Sequence, residues 1–449
     1  MKSLVTLTLV LSAGFSSLAA ATDISSTATP PPSSSTASIA ASENIKYHGN
    51  ADNAAQDPLQ MLSMASGESP RHRQEKTHLM KRMSRKYGTW NTVHPRYRLL
   101  EALYGFSKYR EWNMAELERW RGMYGNVGKA QKKTLEKAVK YKKKMHDIEE
   151  LIYENEVLCK AIIAHAMAFY GIEQKELDEH IKEAAKAGRM ADRISSSQTL
   201  KHFVRDWADE GSKERADAFP CILSTLADLK TTAPSASPLK ILLPGSGVGR
   251  LGTEVADLGG FEVTLNEWSM YMNVGYRFIE ARTASSPFAF HPFIDGLSHH
   301  KSTADLLRLV QAPNVDPNPS VLLVEGDFNT AFNGQEGQYD VIMTHFFIDT
   351  ARNLMSYFDT IHRLLKPGGK WMNLGPLLYG TGPFVQLSLD EIVAVVEEMG
   401  FAFEDVGEEC GPLTFEDKKV RWTEAEYGFN GKALTRNAYK AQVWVVRKL

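Results

Sequence analysis

A chain of 449 residues with 43% hydrophobic and 24% charged side chains has the balance of an ordinary globular protein, which excludes a fibrous or wholly low-complexity chain. Its net charge of −2 leaves no electrostatic footprint for nucleic acid or an anionic membrane, and neither is expected as a partner. Beyond the first 21 residues no apolar run is long enough to span a bilayer.

The N-terminus starts with Lys2, an apolar stretch over 4–18 and Ala-rich residues to Ala21, which is the pattern of a signal peptide at 1–21. Two features oppose it. The three cysteines, Cys159, Cys221 and Cys410, are too few and too scattered for a disulfide framework, and no Asn opens an N-x-[ST] sequon with x other than Pro. Residues 22–94 are rich in Ser, Thr, Ala and Pro, with a basic patch over 71–85, and are expected to form a disordered leader. From 95 to 190, apolar residues such as Leu135, Ala138, Tyr141, Met145, Ile148 and Ile152 recur at three- and four-residue steps, which predicts a helical region. The lysines between 129 and 144 are followed directly by acids, so they read as a solvated helix face.

Residues 191–449 form the second predicted domain. It opens with a helix carrying Phe203 and Trp207 on one face, where Arg205 pairs either with an anionic ligand or with a neighbouring acid. The stretch 240–267 then reads as a short apolar strand, a turn with Gly245, Gly247 and Gly249, a helix, and a second strand ending in Glu267. Glycines allow close backbone approach to a ligand, the helix start offers free N–H groups, and an acid at the second strand end suits two ribose hydroxyls. The turn fits both the dinucleotide pattern G-x-G-x-x-G and the G-x-G-x-G of S-adenosylmethionine enzymes, and either match alone is weak.

The elements C-terminal to Glu267 decide between the two patterns. A helix over 269–282 precedes a long irregular segment with His291, His299 and His300, of which the adjacent pair His299–His300 is read as surface residues rather than metal ligands because no acid or Cys stands at ligand spacing. Strands are predicted at 321–324, 339–344 and 370–374, and two more at 420–429 and 441–447. The sum is an α/β fold: a Rossmann-like, mostly parallel sheet of class I methyltransferase type with an antiparallel last strand, preceded by the helical region. Ligands of such sheets lie beyond the carboxyl ends of the strands, where Glu267, Asp327 with Phe328, and Asp349 stand. Asp327 and Phe328 suit the adenine amine and ring face; the chain offers no pyrophosphate or nicotinamide site. Asp349 either orients a substrate N–H or caps a helix starting at Ala351.

The segments LKHFVRDWADEG, LLPGSGVGRLG, TLNEWSMYMN, EGDF, FFIDTARN, LLKPGGKWMNLGPLLY and VWVVRK together resemble the carnosine N-methyltransferase family over 95–449. The resemblance implies methyl transfer from S-adenosylmethionine to the imidazole of the dipeptide carnosine, giving anserine, without a metal. It places the cofactor contacts on His202, Arg205, Gly245, Glu267, Asp327, Phe328 and His345, with Gly247 added by the turn, and the dipeptide contacts on Asp349, Tyr427 and Tyr439. Asp349 and His345 are the expected catalytic pair. Three positions depart from the family: His202 replaces Gln, His345 stands where relatives can carry Cys, and Gly380 replaces a substrate-binding His. Methylation of a protein or peptide histidine and cofactor binding without catalysis are the alternative functions. A homodimer is left open, as is location: the resemblance implies cytosol or nucleus, the leader the secretory pathway.

Overall fold

The computed structural model describes residues 69–232, 237–380, 382–415 and 419–449. The signal-peptide-like stretch and most of the expected leader therefore lie outside the described residues. The C-terminal part of that leader is not disordered. Helix α1 (Pro70–Arg82) starts with Pro at its first turn, where a missing N–H costs nothing, and buries Leu79 with Met83 just behind it. Two of its basic residues are clips rather than solvated charges: Arg71 Nη2 donates to the carbonyls of Val263 (3.0 Å) and Ser320, and His72 Nε2 bonds the Val321 carbonyl at 3.1 Å. Composition suggested disorder because it counts few apolar residues and cannot count carbonyls waiting at a sheet edge.

The helical region comprises α2 (Pro95–Ser107), α3 (Tyr109–Gly125), α4 (Lys129–Val139), α5 (Tyr141–Tyr170) and α6 (Gln174–Lys186). Along α5, Met145, Ile148, Ile152, Leu158, Ile162 and Ala166 are buried at three- to six-residue steps, the single apolar stripe expected of a helix lying on a core. Asn155 on the same stripe is buried but satisfied. It accepts the His291 N–H and donates to the His291 carbonyl, both at 2.8 Å.

Helices α7 (Ser195–Trp207) and α8 (Ser212–Thr232) lead into the sheet. Its strands are β1 (Leu239–Pro244), β2 (Phe261–Glu267), β5 (Leu322–Glu325), β6 (Tyr339–His345), β7 (Leu365–Gly375), β8 (Phe401–Glu404), β9 (Arg421–Glu426) and β10 (Ala438–Lys448), with α9 (Arg250–Asp257) and α10 (Met270–Glu280) among the crossovers. The order is β5-β2-β1-β6-β7-β10-β8, the first five parallel, with β10 antiparallel to β7 and β9 paired to β10. Two short pieces escape the sequence pattern: β8, and the two-stranded sheet of β3 (Phe288–Phe290) with β4 (Val310–Ala312) inside the segment read as irregular. Strands of three or four residues are too brief to show an alternation.

Ile241 and Leu243 of β1 enter one buried cluster with Ile222 and Leu226 of α8, while Leu242 enters the opposite cluster with Trp371 and Trp444. Both faces are thus covered, as a parallel sheet requires. Because β1 lies between β2 and β6, which follow it in opposite directions across the sheet, the crevice opens beyond the ends of β1 and β6. Cys221 of α8 is disulfide-bonded to Cys410, 189 residues away. Spacing along the chain carried no sign of this pair, since only the packing of α8 against β9 and the turn Glu408–Cys410 brings them together.

Candidate functional site

The turn after β1 is built by glycines because side chains would not fit. At Gly245 (φ +68°) a Cβ would stand 2.3 Å from Phe347, and at Gly249 (φ +85°) 2.3 Å from Tyr276. Gly247 faces the ligand side: a Cβ there would lie 3.5 Å from Arg205 Nη2 and 3.8 Å from His202 Nδ1, so α7 closes over the turn. Arg205 is held by Asp206 (Nε to Oδ1, 2.7 Å) and lies over the rings of Tyr427 (4.9 Å) and Phe429 (5.8 Å). The buried His202 Nδ1 has no hydrogen-bond partner among the described residues. Burial, and then Arg205, keep that imidazole neutral.

Glu267 ends β2 with little exposure. Its Oε1 accepts the Ser269 N–H (2.7 Å) and its Oε2 the Gly247 N–H (2.9 Å), which ties the second strand end to the glycine turn and leaves lone pairs on both oxygens. Burial raises this carboxyl above its ordinary range against the pull of those N–H groups. Asp327 caps the short helix Phe328–Ala331 by accepting the Asn329 N–H at 2.9 Å. Phe328 is 3% exposed, with ring contacts to Phe347 (5.5 Å) and Tyr357 (5.6 Å). Sequence reasoning missed a group from the helical region: Arg98 of α2 donates to the Trp268 carbonyl and lies 3.4 Å from the centre of that indole. Burial lowers its guanidinium to about 10, while Glu267 and then Asp327 oppose the change.

Beyond β6, His345 lines a pocket with Arg205, Tyr427 and Phe346. Its Nε2 has no partner among the described residues, and burial, with Arg205 adding to it, lowers the imidazole to about 3. Phe346 takes a left-handed conformation (φ +51°), stacks on Tyr427 (5.1 Å, 19°) and meets Tyr439 edge-on at 5.9 Å. A positive φ at a bulky residue costs free energy that the surrounding structure offsets, and such positions cluster at functional sites.

Asp349 sits in the turn Ile348–Thr350 and does not cap a helix: the next one, Leu354–Leu364, is preceded by Asn353. Its Oδ2 accepts the Leu378 N–H at 3.0 Å, and burial lifts the carboxyl to about 7 against that bond. Burial, and then Asp349, also raise the Tyr439 hydroxyl. Gly380 follows Tyr379 in the loop after β7, where the Tyr379 hydroxyl donates to the Leu387 carbonyl at 2.8 Å.

Of the eleven residues singled out from the sequence, Gly245, Gly247, His202, Arg205 and Glu267 gather at the glycine turn, Arg205, His345 and Tyr427 line one pocket, and Asp327, Phe328, Asp349 and Tyr439 stand at or just beyond neighbouring strand ends. Among the described residues no group of three or more His, Cys, Asp or Glu is placed to hold a metal, and no helix is long and apolar enough to cross a membrane.

Comparison with known proteins gives a consistent set of relatives. The model of a family described as carnosine N-methyltransferase matches residues 183–449. The carnosine N-methyltransferase of Mus musculus is 33% identical over 313 residues, covering 67% of this chain and 74% of that protein. That of Schizosaccharomyces pombe is 32% identical over 285 residues (58% and 74%), and that of Dictyostelium discoideum 34% identical over 272 residues (57% and 55%).

Proposed function

The chain belongs to the carnosine N-methyltransferase family, and we propose on that premise that it methylates the imidazole of carnosine, giving anserine, with Asp349 as the residue that receives the imidazole N–H. The observation that carries this reading is a buried carboxyl, raised to about 7, in the turn after β6, three residues beyond Phe346, whose ring meets Tyr439 edge-on. S-adenosylmethionine, when bound, supplies a sulfonium methyl as the electrophile.

The residues present suit that cofactor. The glycine turn leaves backbone room, His202 Nδ1 offers an unused buried nitrogen, Arg205 a cation for a carboxylate, and Glu267 and Asp327 acceptors for ribose hydroxyls and the adenine amine. The chain's own chemistry is orientation and proton handling. A neutral imidazole, with an ordinary pKa of about 6.5, already presents one lone pair, so no strong base is needed. Asp349 would accept a hydrogen bond from the other ring N–H, which selects the tautomer and aims the free nitrogen. As positive charge develops on the ring, the same carboxylate would stabilise it and then take up the proton. His345, held neutral by burial, would pack beside the reacting atoms without adding a competing charge.

The test is transfer of label from methyl-labelled S-adenosylmethionine by the purified chain, offered carnosine and, separately, histidine-containing peptides and proteins. Labelled anserine is the expected product. Cofactor binding with no label on carnosine would overturn the reading.

A further inference from the structure

The pocket beside His345 lies between α8 and β9 and is narrow, with room for a group about the size of a water molecule or a single ammonium head. Most of its charged walls are engaged. Arg205 is paired with Asp206, Arg215 donates to the carbonyls of Arg205 (2.5 Å) and Ala208 (3.0 Å), and Glu426 is paired with Lys213 and Arg436. Glu214, in the first turn of α8, is different: its Oε1 accepts the Gly428 N–H at 3.2 Å, while its Oε2 is buried without a hydrogen-bond partner among the described residues. His345 Nε2 is likewise unpartnered on another wall of the same pocket. A buried acceptor left unsatisfied is costly, which makes it a place to look for a ligand.

Resting on the carnosine methyltransferase function, we propose that Glu214 anchors a primary ammonium group of a bound reactant in this pocket. The geometry selects the class of cation. A guanidinium presents a fork that matches both oxygens of a carboxylate, and one oxygen is already taken by Gly428. An ammonium is a compact charge that one oxygen can receive. Burial raises the Glu214 carboxyl, with Arg205 and the N–H groups of Gly428 and Phe429 opposing, and an entering cation would draw it further back to the ionised form. Both reactants carry such a group: the β-alanyl amine of the dipeptide and the α-amine of S-adenosylmethionine.

Isothermal titration of S-adenosylmethionine and of carnosine into the wild-type chain and into Glu214→Gln separates the two sources. The amide keeps an oxygen for Gly428, so the fold is retained, and circular dichroism checks it. A loss of about 10–100-fold in carnosine affinity with unchanged cofactor affinity, the range for one charge-assisted hydrogen bond, assigns the dipeptide amine. A loss of that size in cofactor affinity assigns the cofactor amine. Unchanged affinity for both overturns the proposal. If Glu214→Gln does not fold, the wild-type chain titrated with N-acetylcarnosine and with the desamino cofactor decides the same question: equal affinity with and without the amine, for both ligands, overturns it. Binding is read directly, so failure of the wild-type chain to turn over carnosine would count against the proposed function without touching this result.

Discussion

Asp349 carries two opposite expectations. Substitution Asp349→Asn should lower kcat roughly 10²–10⁴-fold, the usual share of a positioned proton acceptor, while the cofactor dissociation constant stays unchanged. The same change should stabilise the protein in alkaline buffer. The carboxyl is raised by burial from its ordinary value to about 7, so the folded state favours the protonated form. Its contribution to stability is fully present below the unfolded value near 4, and is lost as pH rises through about 7. Asn cannot ionise, so thermal melts at pH 8 should show the variant more stable by roughly 1–4 kcal/mol, with the difference vanishing toward pH 4. A variant less stable at both pH values would make Asp349 a structural acceptor for Leu378.

At this scale the sequence was informative wherever chemistry stands at a strand end. Glu267, Asp327 and Asp349 were legible because a turn or helix start beside an apolar strand fixes which side chain meets the crevice. Phe346 and Glu214 were not. The stacking of Phe346 on Tyr427 joins residues 81 positions apart in the numbering, and the unsatisfied oxygen of Glu214 becomes visible only once α8 has packed against β9.

The helices in front of the sheet are more than a cover. Arg98 of α2 lies on Trp268, directly after Glu267, and Tyr170 at the end of α5 donates to both oxygens of Glu325 at 2.9 Å, two residues before Asp327. Arg277 of α10 completes that buried group through its 3.0 Å ion pair with Glu325. Two cofactor-side strand ends are therefore braced by elements outside the α/β unit. Arg98→Ala should raise the cofactor dissociation constant about tenfold at pH 7, as expected for one lost charged contact, and the loss should grow as pH falls. The sign is set by Glu267: burial already raises it, the N–H groups of Ser269, Gly247 and Trp268 and then the Arg98 cation hold it down, and a protonated Glu267 has less capacity to accept ribose hydroxyls. Titration of cofactor at pH 6 and pH 8 checks this, and equal weakening at both would make Arg98 a purely steric brace. Strands β1, β2 and β6 were readable as apolar runs closed by turn residues. The service of α2 and α5 to the site was not, because amphipathic spacing shows that a helix face is buried and is silent on what lies beneath it.

For the molecule as a whole, the Cys221–Cys410 bond is the single covalent link across the fold among the described residues. It joins α8, which carries Ala218 and Phe219 into the pocket, to the turn that precedes β9, which carries Ala425 and Glu426 into it. Replacing both cysteines by serine should cost about 2–5 kcal/mol in chemical denaturation, because the uncrosslinked chain regains the freedom that a long closed loop removes. No loss of stability would show that the bond constrains little in the unfolded state. The overall architecture was legible from the order of strands and turns, whereas the cross-link was not, since cysteine count speaks to compartment and size rather than to proximity.

The same bond makes the segment from Cys221 to Cys410 a closed ring of polypeptide. It contains β1 through β8, and so the glycine turn and every parallel strand end that faces the cofactor. A protease that cuts once between those cysteines would therefore release nothing. The two pieces would migrate together on a denaturing gel without reductant and separate only when thiol is added, while a cut in α2 or α5 would free its fragment under either condition.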